Sequence, residues 1–138
     1  AGIQGDWIHQ ETELLHAAKQ QLLAYFAGEL KEFDLPLTPK GTEFQERVWQ
    51  ALQDIDYGVT CSYGDIANQL NQPKAVRAVG AAVGKNPLSI IIPCHRVLGS
   101  QKQLTGYAGG LERKKWLLQL EQNTKLKTEV YQLQAKPA

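Results

Sequence analysis

At 138 residues, with 43% hydrophobic and 21% charged positions, the chain suits one compact domain with a helical extension and is too apolar for wholesale disorder. A formal net charge of +1, no apolar run of bilayer-spanning length and no signal-peptide pattern argue against a membrane or exported protein. Two cysteines, Cys61 and Cys94, and three scattered histidines make no zinc spacing, so the pair reads as reduced thiols in a cytosolic setting.

The near-neutral total hides an uneven distribution. No acidic residue lies between Asp65 and Glu112, an interval that holds Lys74, Arg77, Lys85, Arg96 and Lys102. The first sixty residues are instead dominated by acids, from Asp6 and Glu11 to Asp54 and Asp56. One face should therefore attract an anion, which suits salt-sensitive contact with phosphates.

In chain order, residues 11 to 30 carry Leu14, Leu15, Ala18, Leu22, Tyr25 and Phe26 at helical spacing and predict an amphipathic helix stopped near Gly28. A linker with Pro36 and Pro39 follows. Thr42 caps a second helix whose inward stripe is Phe44, Val48, Trp49, Leu52 and Ile55. Val59-Thr60-Cys61 is a short β-branched segment. Ser62 then caps a helix from Tyr63 to Leu70, and Asn71-Gln72-Pro73 turns into a further helix from Lys74 to Val83, a helix–turn–helix pattern. The packing stripe of that last helix is Val76, Val79 and Val83. Its other face is small, with Ala75, Ala78 and Ala82, and lets the backbone approach a DNA groove beside Lys74 and Arg77.

The segment Ile90-Ile91-Ile92-Pro93-Cys94-His95-Arg96-Val97 is the most informative of the chain. Three β-branched residues predict a short buried strand, which the proline ends. A thiol held there beside a possible base and a second cation has the surroundings of a nucleophile, because cationic neighbours favour thiolate. Strand alternation would point Cys94 and His95 to opposite faces. Gly99 to Gly110 is glycine-rich loop with a brief strand at Leu104–Tyr107. Leu111 to Gln122 is a helix carrying Trp116, Leu117 and Leu120, and residues 123 to 138 form a polar tail.

The octet resembles the active-site motif of the O6-alkylguanine-DNA alkyltransferases, the methylated-DNA–protein-cysteine methyltransferases. The resemblance extends from Gly41-Thr42-Glu43-Phe44-Gln45 to Leu120-Glu121 through Ser62-Tyr63-Gly64-Asp65-Ile66-Ala67, Pro73 to Gly80, Asn86-Pro87 and Thr105-Gly106-Tyr107-Ala108-Gly109-Gly110. Several motifs in the right order are far more specific than one tetrapeptide. The resemblance implies a mainly α fold with a few short strands (α+β), built on a winged helix-turn-helix-like domain over 41–122. Residues 1–40 would then be a remnant of an N-terminal β-sheet domain that is shortened or absent.

It also implies chemistry. Cys94 would accept the alkyl group, with His95 as base through a bridging water and Glu121 orienting that histidine. Tyr63 would donate to the ring nitrogen of the leaving guanine, and Asn86 would brace the turn before Cys94. Arg77 would fill the space of a flipped-out nucleotide. Lys74, Ala75, Ala78, Tyr107, Ala108, Gly109, Arg96 and Val97 would complete the DNA and base contacts. The partner would be double-stranded DNA containing O6-alkylguanine. No cofactor, metal, membrane or obligate protein partner is expected, and the protein would be a cytoplasmic monomer, associated with the nucleoid when on DNA. Two other readings carry different signatures: a lesion sensor would bind without covalent change, and a cysteine hydrolase would turn over.

Overall fold

The computed structural model describes residues 2–107 and 109–135, with side chains at 12–107 and 109–130. Ala108, expected in the base pocket, lies outside the described residues. The chain divides into two compact units between Thr38 and Pro39.

The first unit is helix α1 (Gly2–Phe26) followed by extended chain, with no strand among its described residues. The helix stops two residues before Gly28, whose φ of 76° is the left-handed conformation that closes a helix without a Cβ penalty. The Gly28 amide donates to Tyr25 O at 3.0 Å and the Glu29 amide to Ala24 O at 2.9 Å, satisfying the last carbonyls. Tyr25 is fully buried, with Phe26 edge-on and Phe33 tilted against its ring. The Gln21 side chain both donates to Asp34 O and accepts from Asp34 N, each at 2.8 Å, and ties the extended segment back to α1.

The second unit holds helices α2 (Glu43–Gln53), α3 (Tyr63–Gln69), α4 (Val76–Gly84) and α5 (Leu111–Ala135), with strands β1 (Cys61–Ser62) and β2 (Val97–Leu98). The helix starts follow the capping chemistry expected of the sequence. Thr42 and Gln45 form one reciprocal capping box, and Ser62 and Asp65 form another. β1 and β2 pair in parallel, Cys61 opposite Val97 and Ser62 opposite Leu98, so α3 and α4 lie on the crossover between them.

The turn between α3 and α4 rests on Asn71. Its φ of 60° is tolerated better by asparagine than by most residues, and the Gln72 amide closes on Ala67 O at 2.9 Å. α4 is shorter than the sequence pattern predicts. It begins at Val76, so Lys74 belongs to the turn and Ala75 to the helix cap. The core is built from Val48, Leu52, Ile66, Val79, Ile92 and Val97, each at most 3% exposed. Burying side chains of this size contributes about 1.5–3 kcal/mol apiece. Trp49 joins two layers, its indole N–H donating to Ala82 O at 2.9 Å.

Several packing expectations are corrected. Val76, placed on the buried stripe of α4, is 41% exposed, and Ala82, placed on the outer small face, is 3% exposed. Val79, Ala82 and Val83 are the residues of α4 that face inward, and Val76 stands at its exposed first position. Ile90–Ile92 is not a strand. Ile90 and Ile91 form a turn, closed by the bridge between Ser89 and Ile92 and by the Ile92 amide donating to Leu88 O at 2.8 Å. No strand forms at Leu104–Tyr107. α5 continues past Gln122 to Ala135 because nothing in the polar segment breaks a helix. Trp116 on that helix is 51% exposed while Leu117 is buried. Among the described residues, no helix is long and apolar enough to cross a membrane.

Candidate active site

Pro93 leads into a single 3-10 turn, Cys94–Arg96, rather than continuing a strand. The turn decides where the three side chains go. All three are buried, with Cys94 and Arg96 at 6% and His95 at 0% exposure. Neighbouring His95 and Arg96 both meet Glu121 of α5, a convergence that an extended strand would not allow. Arg96 and Val97, expected at the DNA side, are therefore internal: the guanidinium is engaged within the protein and the Val97 side chain is fully buried in β2.

Glu121 is the hub of this cluster. His95 Nε2 lies 2.6 Å from Glu121 Oε2, and Arg96 donates from Nε to Oε1 at 2.8 Å and from its terminal nitrogen to Oε2 at 3.0 Å. The Gly58 amide adds a fourth contact, donating to Oε1 at 3.1 Å. Gly58 has φ 75°, and a Cβ there would come within 3.0 Å of the Lys125 side chain, so glycine is what lets the amide face the carboxylate. The other end of Arg96 donates to Ile55 O at 2.7 Å, and its guanidinium lies 5.5 Å from the centre of the Tyr57 ring. Burial alone would push the Glu121 carboxyl up, but hydrogen bonds and charge from His95 and Arg96 outweigh it and hold the group at about 2. An ionised carboxylate only accepts, which places a proton on His95 Nε2, the nitrogen that faces Glu121.

On the other side of Cys94 lies a cavity of about 300 Å³, lined by Tyr63, Gly80, Val83, Gly84, Asn86, Ser89, Cys94, Gly106 and Tyr107. It brings together residues from α3, α4, the turn before Cys94 and the loop before α5. The expected Cys94, Tyr63, Asn86 and Tyr107 meet here. Burial and the neighbouring Cys94 push the Tyr107 hydroxyl up to about 12, against the opposing pull of its hydrogen bond with Ser89 and of Arg113. Tyr107 therefore stays a neutral hydroxyl at physiological pH. Asn86 braces the turn from within: its Nδ2 donates to Ile92 O at 2.8 Å and its Oδ1 accepts from the Leu88 amide at 2.9 Å. Between those two anchors Ile90 has φ 76°, a strained conformation for a β-branched residue that the bracketing bonds must hold.

Two groups near the thiol escape the sequence reading. Lys114 is fully buried and donates from Nζ to Thr105 O at 3.2 Å. Burial pulls its ammonium down, while the adjacent Cys94 acts the other way. Thr105 Oγ1 lies 2.8 Å from the Tyr63 hydroxyl. A signal for Lys114 was available in the sequence: Lys114, Leu117 and Glu121 fall at i, i+3 and i+7, on one buried helix face. Arg77, Lys74 and Ala78 are exposed and Ala75 is half-buried, all at the front of α4 and outside the cavity lining. Gly109 is half-buried, with a notional Cβ 2.8 Å from the Tyr107 ring. Cys61 is half-buried in β1, and burial beside Asp65 pushes its thiol up to about 11.

Residues 43–123 match the family model for the DNA-binding domain of 6-O-methylguanine DNA methyltransferase. The methylated-DNA–protein-cysteine methyltransferase of Methanosarcina acetivorans is 56% identical over 115 residues, covering 83% of this chain and 73% of the relative. The enzyme of that name from Mycolicibacterium paratuberculosis is 62% identical over 104 residues, covering 75% of this chain and 63% of the relative. Among solved structures, Mycobacterium tuberculosis OGT in complex with DNA superimposes with a TM-score of 0.78 at 58% identity, covering 79% of this chain and 68% of that one. The stretch matched by the family model takes in both the Glu121 cluster and the cavity at Cys94, and the chain belongs to the methylated-DNA–protein-cysteine methyltransferase family.

Proposed function

We propose that the protein repairs O6-alkylguanine in double-stranded DNA by moving the alkyl group irreversibly to Cys94 Sγ, once per molecule. The observation that carries this reading is the position of Cys94, with a two-tyrosine cavity in front of it and the ionised Glu121 cluster behind. Dealkylation is an in-line displacement at an alkyl carbon. It needs a soft nucleophile, a base for the thiol proton and a donor for the leaving guanine. His95 Nδ1 takes the thiol proton through a bridging water, while Glu121 fixes the ring through Nε2. The sulfur electron pair forms the S–C bond, the C–O6 pair passes to the guanine, and Tyr63 stabilises that charge at the ring nitrogen. The guanine finally gains one proton, matching the one lost by the thiol.

The O6 atom lies inside a paired duplex, so the base must leave the stack to reach the cavity. The exposed Arg77 fills the vacated space, while Lys74, Ala75 and Ala78 face the backbone and groove. Gly109 lets the Tyr107 loop close on the base. In this reading residues 41–122 carry the activity, flanked by 1–40 and 123–138, and the protein works as a cytoplasmic monomer without a cofactor.

Intact-protein mass spectrometry after incubation with an oligonucleotide containing one O6-methylguanine, followed by peptide mapping, tests the reading. One methyl increment on Cys94, saturating at one per protein, is expected. DNA retention without any increment would replace it with lesion sensing, and continuous product release would replace it with hydrolysis.

A further inference from the structure

We infer that Thr105 is a positioning residue for the transfer: its hydroxyl donates to the Tyr63 oxygen and so commits the Tyr63 proton to the cavity. This rests on the assignment of Cys94 as acceptor and Tyr63 as donor to the leaving guanine. A tyrosine hydroxyl has one proton, and the same hydroxyl accepts as well as donates. If the Tyr63 proton were spent on Thr105, the cavity would be offered only an oxygen lone pair, and the leaving guanine would lose its donor. The 2.8 Å Tyr63–Thr105 contact admits either direction. The cavity chemistry selects one, because negative charge develops on the guanine side and draws the phenolic proton towards it. Thr105 then supplies the compensating donor, and a chain of two hydrogen bonds polarises towards the substrate.

The position of Thr105 fits that role. It precedes Gly106 and Tyr107 of the cavity lining without lining the cavity itself, and it is half-buried. Its backbone carbonyl accepts from the buried Lys114 at 3.2 Å. One residue thus ties the α3 tyrosine to the loop before α5 by its side chain and holds the buried ammonium by its main chain. Removing the hydroxyl leaves the second link in place, which isolates the first.

The test is the rate of Cys94 alkylation by an O6-methylguanine duplex, compared with the rate for iodoacetamide, whose iodide leaves without needing a proton donor. Thr105→Val should slow the duplex reaction about tenfold, the scale of one oriented hydrogen bond in a transition state. The iodoacetamide reaction should slow much less. Thr105→Ser, which restores a hydroxyl, should recover most of the loss, and adding Thr105→Val to Tyr63→Phe should cost nothing further. Unaltered duplex repair in Thr105→Val, an equal loss with both electrophiles, no recovery in Thr105→Ser, or additive losses in the double variant would each overturn the role of Thr105. In the first of these cases the transferase reading itself survives. Failure of the wild-type protein to take up any methyl group would overturn both, and the two failures are therefore separable.

Discussion

The two sides of the Cys94 turn solve opposite problems. Behind it, Glu121, His95 and Arg96 are closed off from solvent, and each Glu121 oxygen accepts at least two hydrogen bonds. In front, Tyr63, Tyr107 and small or apolar residues leave about 300 Å³ of space. The rear therefore holds charge that cannot reorganise, while the front offers room and tyrosine hydroxyls. A transfer site needs both, because fixed charge stabilises an altered protonation state only if it does not relax, and a base enters only where nothing fills the pocket.

Breaking the rear should have the largest effect. Arg96→Met removes one partner of a buried ion pair, and a loss of about 3–5 kcal/mol in urea-unfolding stability is expected. A loss below about 1 kcal/mol would mean that His95 and Gly58 suffice to hold Glu121.

The next effect is a pH dependence with a defined sign. Glu121 titrates at about 2 in the folded protein, below its ordinary 4.5, so it binds fewer protons folded than unfolded. Its contribution is fully present above pH 4.5 and is lost as the pH falls through 2, on the order of 3 kcal/mol in all. Urea titrations from pH 6 to 2 should show this limb in the wild-type protein and a much flatter one in Glu121→Gln. Parallel curves would place the acid sensitivity elsewhere.

The front should respond in function and hardly in stability. Arg77 is exposed, and Arg77→Ala should change stability by no more than about 0.5 kcal/mol. Repair of duplex O6-methylguanine should nevertheless slow more than reaction with free O6-benzylguanine, which needs no flipping. Equal slowing of both would remove the wedge role and blur the division between the two sides.

Much of this was legible in the residues. The capping boxes at Thr42 and Ser62, the stop at Gly28, the buried stripe Val48–Trp49–Leu52 and the helix–turn–helix order follow from local chemistry that acts over three or four positions. The site motif around Cys94 could be read because its residue types are costly to bury without purpose. What failed were two readings of local pattern that the path of the chain overrode. Ile90–Ile92 has strand propensity, yet Asn86 bonds across it and bends it into a turn. Arg96 has the charge of a DNA contact, yet the 3-10 turn sends it inward to Glu121.

By itself the sequence determined the caps that start α2 and α3, the stop of α1, which thiol has reactive surroundings and where positive charge gathers, because those properties reside in neighbouring residues. Tertiary structure alone decided that Arg96 would join His95 on Glu121 across 25 positions, that Thr105 would reach Tyr63 across 42, and that Lys114 would be buried near Cys94. These contacts depend on how α5 and the preceding loop pack against the Cys94 turn, and no local propensity encodes that packing.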